Sequence, residues 1–490
     1  MKFRPDNSPM PRPHMSRCAA AIAVAFALAA CATPVAKPSL DNLPDHFVAA
    51  PASAAEPEAA WWDGFGDPVL SDLVRRAARE NRDVRIAAER VRAARAGETV
   101  SRSLLAPSVD VTAGGLDYKS RYDETTKQVA PDAKLAAGGL NVSWEVDLSG
   151  RLRAGAAAAA ADKMATEDAA RGVRLLVITD VATNYFTLKG ALRQLDTMRA
   201  IVAAQDETLR LVEARERVGL ATSFDVARAK ADASRSHAAI PPLETLAAVS
   251  RHRIAVLIGD QASNASSIAV SRNDIAVPSA HTGQPAALLQ RRPDLLAAQA
   301  QLEAANARRQ QAMAEWFPRL FLGALFGREG LDVNGISFGA ARFSTVAALI
   351  AMPIFNAGRT QAINDIAESG QKEAVLHYED AIVRALEDVE NSLVALDDQR
   401  HREQLMQSAA TSADAALSHA QSLYDRGQTD FLPLLDAQRV RLVVRVSANE
   451  AHTQLLLDSV QLYKALGGGW EVFEPSATPS GADPVPSPKS

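Results

Sequence analysis

Few residues of this chain are spaced to do chemistry. The nine histidines are scattered, and His237, His252, His377 and His401 fall in helical stretches without a second ligand at metal spacing. There is no His-Glu-x-x-His pair, no Walker loop and no Gly-x-Ser-x-Gly elbow, so hydrolysis and phosphoryl transfer have no residue set to carry them. Gly467-Gly468-Gly469 follows a long helical pattern and reads as its terminator. Asp436 and Arg439 stand three residues apart in such a pattern, which by itself predicts an i, i+3 pair worth only a few tenths of a kcal/mol. The sequence predicts no enzyme, no metal and no cofactor. Cys31 is the reactive group that remains.

The setting of Cys31 is specific. Basic residues run up to Arg17, and an apolar stretch follows from Ala19 to Ala30. That stretch is too short to span a bilayer and has the length of a signal-peptide core. It ends in Leu28-Ala29-Ala30-Cys31, which resembles the lipobox cut by lipoprotein signal peptidase. The resemblance implies a diacylated Cys31 at the start of the mature chain. Ala32 at the next position, instead of aspartate, implies sorting to the outer membrane. The only other cysteine, Cys18, lies inside the signal, so the exported chain has no internal disulfide to form. Removing residues 1–30 takes the formal charge from −5 to about −8. This diffuse acidity excludes the basic surface that nucleic-acid binding needs.

Behind the anchor, composition divides the chain. Residues 31–60 are rich in Ala, Pro and Ser and are predicted to be a lipid-anchored linker, and residues 471–490 a disordered tail. Hydrophobic residues make up 47% of the chain and aromatics only 5%, a low-bulk profile suited to long helices packed side by side. Two helical patterns, about 153–217 and 359–426, run at roughly 100 Å each. Return helices are expected at 224–258 and 431–466, with hairpin tips at Gly219 and Gly427. Thr222 and Thr429 are placed to cap the returning helices. Helices this long need neighbours along their whole length.

The body is duplicated. Asn81-Arg82-Asp83-Val84 matches Arg292-Pro293-Asp294-Leu295, Pro107 matches Pro318, Gly150-Arg151 matches Gly358-Arg359, and Gly219 matches Gly427. The offsets stay between 208 and 211 residues, which chance does not produce across separate landmarks. The repeats are 61–270 and 271–470, each with short helices, a strand hairpin (about 107–147 and 318–355) and a long helical hairpin. In residues 140–147, Leu140, Val142, Trp144 and Val146 alternate with Asn141, Ser143, Glu145 and Asp147. Val109 and Val111 alternate likewise with polar neighbours. Such strands suit a membrane β-barrel, or a soluble sheet with one buried face. Four strands cannot close a barrel, and an open edge in lipid leaves backbone groups unpaired. A membrane sheet of this kind demands several copies of the chain.

These landmarks carry a family resemblance. Arg291-Arg292-Pro293-Asp294-Leu295, Ala304-Ala305-Asn306-Ala307 and Phe317-Pro318 are similar to motifs of the outer membrane factors, the TolC- and OprM-like channels. So are Trp144-Glu145-Val146-Asp147-Leu148, Pro353-Ile354-Phe355-Asn356-Ala357-Gly358-Arg359, and Tyr424-Asp425-Arg426-Gly427 leading to Leu434-Leu435-Asp436-Ala437-Gln438-Arg439. The lipobox points to the NodT-type lipoproteins among them. The resemblance implies a mainly α fold whose long hairpins form an α-barrel tunnel, with three copies of four strands making a twelve-stranded β-barrel. It implies a homotrimer, a periplasmic adaptor and an inner-membrane pump of the resistance–nodulation–division class as partners, and passive export of small molecules. It places a periplasmic gate at Leu432, Asp436 and Arg439. Pro433 stands where some relatives carry a second aspartate, which leaves one carboxylate ring. Adaptor contacts are implied at the tips, around Arg217, Gly219, Thr222, Arg426, Gly427 and Thr429. A type I protein-secretion duct and a non-channel periplasmic scaffold are the alternatives.

Overall fold

The computed structural model describes residues 44–49, 58–123, 125–129, 131–271, 273, 275–278 and 281–474. Its elements are α1 (Pro68–Glu80), α2 (Arg82–Ser103), β1 (Ser108–Tyr118), β2 (Ala133–Val146), α3 (Arg151–Arg217), α4 (Ser223–Ala238), α5 (Ile240–Leu257), α6 (Pro293–Met313), β3 (Arg319–Val333), β4 (Ile336–Ala351), α7 (Arg359–Asp425) and α8 (Phe431–Ala465). The long helices α3 and α7 each run for 67 residues.

Both begin where a glycine in the left-handed region turns the chain out of a strand, Gly150 (φ 79°) and Gly358 (φ 86°). The Asp147 carboxylate then accepts from the backbone N–H groups of Leu152 and Arg153, two donors that the first helical turn cannot satisfy. The second return helix is continuous. Pro433 is tolerated there because it lies in the first turn, where a missing N–H costs nothing. The first return helix, expected unbroken over 224–258, is instead two helices meeting at Ala239. Pro241 and Pro242 follow at once and cannot donate to the preceding turn, so the ladder is interrupted there.

The duplication reappears as two matched splices. Asn81 caps α2 and donates its side-chain amide to the Leu257 carbonyl at the end of α5, 2.9 Å away. Arg292, which precedes α6, donates to the Ala465 carbonyl at the end of α8, 3.0 Å away. Each short helix thus continues a return helix end to end. At the second splice Gly467 (φ 75°) lies so close to Arg292 that an added Cβ would stand 2.9 Å from its Cα. The two repeats cross where α3 meets α8. A Cβ on Gly190 would stand 2.6 Å from the Thr453 methyl, and Asn449 bridges Gln194 and Thr197 at 2.9 and 2.8 Å.

The body core gathers the few aromatics. Trp61 stacks on Tyr463 with centroids 5.0 Å apart, and Phe65 meets Phe186 at 4.9 Å, tying the N-terminal segment to both repeats. The body extends into both the expected linker and the expected tail. Part of the 31–60 segment docks on the body: Phe47 is 2% exposed, packed in the second-repeat core, while the N–H groups of Val48 and Ala49 donate to the Glu390 carboxylate at 2.7 and 3.1 Å. Burying that ring contributes about 1.5–3 kcal/mol, enough to hold a short segment. At the other end, residues 471–474 belong to the body, with Phe473 stacked on Trp62 and Glu474 paired with Arg171 and Arg174. Residues 475–490 and Cys31 lie outside the described residues.

The four strands form one antiparallel sheet in chain order. Its register puts Val109, Val142, Ala324 and Val346 in one row, and Val111, Leu140 and Phe326 in the next on the same face. The opposite face carries Ser108, Asp110, Thr112, Asn141, Ser143 and Glu145 near the helical body. The second hairpin turns at Asn334-Gly335, with φ of 50° and 79°, the two positive values a two-residue turn of the primed type requires.

Candidate functional site

Two regions carry the site: the hairpin tips and the sheet. At the first tip α3 ends in a Schellman turn, with the Leu220 N–H on the Arg215 carbonyl (2.8 Å) and Gly219 left-handed at φ 74°. The second tip repeats it, Gln428 N–H to Leu423 carbonyl at 2.9 Å and Gly427 at φ 71°. Arg217, Gly219, Thr222, Arg426 and Gly427 are all exposed, as are Val218, Leu220 and Phe224.

The restart of the chain differs between the tips. Thr222 forms a full capping box: its hydroxyl accepts from the Asp225 N–H (3.2 Å), and the Asp225 carboxylate accepts from the Thr222 N–H (3.1 Å). Thr429 does not cap, contrary to expectation. Asp430 takes the N-cap position of α8, and no side chain bonds the helix start there. Thr222→Ala should therefore cost about 1 kcal/mol of local stability, and Thr429→Ala much less. Hydrogen exchange over residues 222–228 and 430–436 measures the difference; equal acceleration in the two variants would refute it.

Below the turns the hairpins pack on each other. Val212 and Ala229 of the first meet Tyr424, Phe431, Leu434 and Leu435 of the second in one apolar cluster. The Arg215 guanidinium lies 4.1 Å from the Tyr424 ring centroid. Burial holds the Tyr424 hydroxyl above the ordinary tyrosine range, with Arg215 pulling it back.

Leu432 and Asp436 are exposed on the first turns of α8. The pair of Asp436 with Arg439 does not form. Arg439 reaches across to α4, and its Nη2 is 2.8 Å from the Asp232 carboxylate, while its Nε donates at 2.9 Å. Asp232 is 5% exposed in its side chain, and its other cation, Arg235, is 61% exposed. A nearly buried carboxylate with a fork-shaped donor is the more favourable partner, so Arg439 leaves its helical neighbour for it. Asp436 makes no ion pair among the described residues. Sequence reasoning missed Asp232, since no local pattern joins residues 207 positions apart.

The sheet is unfinished. β1 and β4 have bare edges of 11 and 16 residues. Strands of that length run about 35–50 Å, which at a barrel tilt covers an apolar band roughly 25 Å tall. Val111 is 80% exposed, Val346 77% and Ile350 68%, a burden that a water-facing sheet does not carry.

A tall helical wall joined to an incomplete, lipid-compatible sheet is the architecture of an outer-membrane channel-tunnel. Comparison with known proteins agrees. The family described as outer membrane efflux protein matches residues 73–260 and 285–468. The outer membrane protein OprJ of Pseudomonas aeruginosa is 29% identical over 92% of this chain and 95% of its own. The pyoverdine export outer membrane protein OpmQ of the same organism is 32% identical over 87% and 90%. The solved outer-membrane channel OprN superposes with a TM-score of 0.82 at 29% identity, covering 90% of this chain and all of that one. The chain belongs to the outer membrane efflux protein family. It is an outer-membrane channel of an efflux system, with the tunnel-and-barrel fold, and the secretion-duct and scaffold alternatives are not favoured.

Proposed function

We propose that three copies of this chain close a twelve-stranded barrel and a helical tunnel, held at the membrane by a lipidated Cys31. The support is a second apolar stripe on α7. Leu376, Val383, Val394 and Leu405 recur at 7 and 11 residues and are 52–65% exposed. At 100° per residue they share an arc of about 40°, roughly 145° from the stripe of Tyr378, Ile382, Ala385, Val389, Leu393 and Leu396 that is buried within the chain. A helix apolar on two well-separated sides packs between two neighbours, and among the described residues only one side of α7 is covered, by the spliced α6 and α8. The bare edges of β1 and β4 call for the same second copy.

Within that trimer, Leu432 and Asp436 ring the tunnel near its tips and Arg439 fastens the ring to α4 through Asp232. Three unpaired Asp436 carboxylates around one axis attract cations and repel each other. The tips at Arg217, Gly219, Thr222, Arg426 and Gly427, all exposed, and at the half-buried Thr429 receive a periplasmic adaptor, which couples the channel to a proton-driven pump of the resistance–nodulation–division class. Small molecules then leave passively.

Native mass and planar-bilayer conductance test this together. A trimer with a small cation-selective conductance is expected, and Asp436→Asn should reduce its cation preference severalfold. A monomer that never conducts would overturn the channel assembly. A conducting trimer whose selectivity ignores Asp436 would remove only the gate.

A further inference from the structure

We infer that the tunnel wall carries a binding cavity for cationic amphipathic molecules, midway along its length, so that the duct holds its cargo as well as passing it. This rests on the channel reading above. The cavity, about 800 Å³, lies over the splice between α6 and α8, with α3 and α7 as its walls. Such a volume is that of a site for a drug-sized molecule.

Which side of the wall it opens on follows from α7. Asp388, Asn391, Ser392 and Ala395 line the cavity, whereas Glu390, which holds the N-terminal segment at Val48 and Ala49, points roughly 150° away around the helix. A segment leading back to a lipid anchor runs outside the barrel, because the anchor cannot be reached from within a closed tunnel. The cavity on the other side therefore faces the lumen.

Its chemistry is two-part. Val173, Leu175, Leu176, Pro293, Ala297 and Ala298 make an apolar wall, and Leu176 is still 49% exposed there. Four carboxylates line it, Asp168, Asp294, Asp388 and Asp458, against two cations, Arg292 and Lys464. Asp294 and Asp388 share Arg292 at 2.8 and 3.0 Å, and Asp168 pairs with Arg171 at 2.6 Å. Asp458 has only the Gln454 amide, at 2.7 Å, and no ion pair among the described residues. Burial raises its carboxyl above the usual carboxylate range, a cost that a bound cation relieves. A flat or compact apolar body with one positive charge satisfies both parts; an anion meets the carboxylate excess.

The test uses the full-length lipoprotein in lipid nanodiscs, with empty discs subtracted, and fluorescence anisotropy of rhodamine 6G, a monocationic amphiphile. Saturable binding is expected, with the anionic 8-anilinonaphthalene-1-sulfonate binding far more weakly. Asp458→Asn keeps the contact with Gln454 and should weaken rhodamine binding about tenfold, the scale of losing one charged contact. Gly172→Leu, whose side chain grows from the cavity wall beside Pro293, should abolish it. Circular dichroism and native mass report whether each variant folds, and if Gly172→Leu does not, Asp458→Asn decides alone. Unchanged affinity in Asp458→Asn, or equal binding of the two dyes, would overturn the site. Conductance from the same preparation separates the readings: a conducting channel without saturable binding loses only the cavity, and binding without conductance loses the channel.

Discussion

Gly327→Val should prevent the protein from assembling in the membrane, although valine is the better strand residue. A Cβ on Gly327 would lie 2.5 Å from the Gly138 carbonyl oxygen, 2.8 Å from the Phe343 ring and 3.0 Å from the Gly139 Cα. Seen from the facing strand, a Cβ on Gly139 would lie 2.4 Å from the Phe326 carbonyl oxygen. The Phe343 ring on β4 can turn aside, but the Gly138 oxygen, the Gly139 Cα and the Phe326 oxygen are backbone atoms of the paired strands, so relief requires parting β2 from β3. Strand propensity returns at most about 1 kcal/mol, and overpacking against atoms that cannot turn aside costs about 1–3 kcal/mol or more. Gly323 provides the control. It lies on the same strand and the same face, and its added Cβ would meet only the Val142 carbonyl oxygen, at 3.9 Å. Folding from denaturant into vesicles, followed by gel mobility without heating, should show Gly323→Val assembled and Gly327→Val not. Equal assembly of both would mean that the sheet relaxes more readily than its register implies.

Arg439→Ala should leave the channel leaky and less stable at once, and a second substitution should separate the two effects. Removing the guanidinium strands Asp232, 5% exposed in its side chain, with only the exposed Arg235 beside it. Leaving a carboxylate so placed without its main partner costs about 1–3 kcal/mol, and α4 is released from α8 at the tips. Single-channel conductance should rise severalfold and thermal aggregation should begin at a lower temperature. In Asp232→Asn/Arg439→Ala the stranded charge is gone, so the thermal loss should largely recover while the conductance stays high. If conductance falls back together with stability, the bridge is only a prop of the fold and does not hold the tunnel closed.

Both arguments rest on contacts that no stretch of sequence displays. What the sequence determined by itself is what local physics determines. Glycines at 219 and 427 stop helices because only a residue without Cβ takes the left-handed turn cheaply, and both adopt it. Arg151 and Arg359 open helices after Gly150 and Gly358 for the same reason. The alternation from Leu140 to Val146 set the faces of β2, and four strands without closure already required further copies of the chain. Asn334-Gly335 is a further local signal, the residue pair that a primed two-residue hairpin turn favours. Pro241-Pro242 is likewise a local signal, a break in the first return helix set by two residues without an N–H to donate.

Tertiary structure alone decided the partners. Arg439 chose Asp232 over Asp436 because burial, which depends on how α4 and α8 pack, makes a distant carboxylate the stronger acceptor. The caps are the exception, because their difference is local: Asp225, three residues after Thr222, completes the box at one tip, and Asp430 takes over the N-cap at the other. Phe47 is core although its neighbours read as linker, because the pocket that receives it is assembled from α6, α7 and α8. Periodicity and turn chemistry act over a few residues and can be read along the chain. Ion pairing, burial and close backbone approach are settled only when segments some 200 residues apart are brought together.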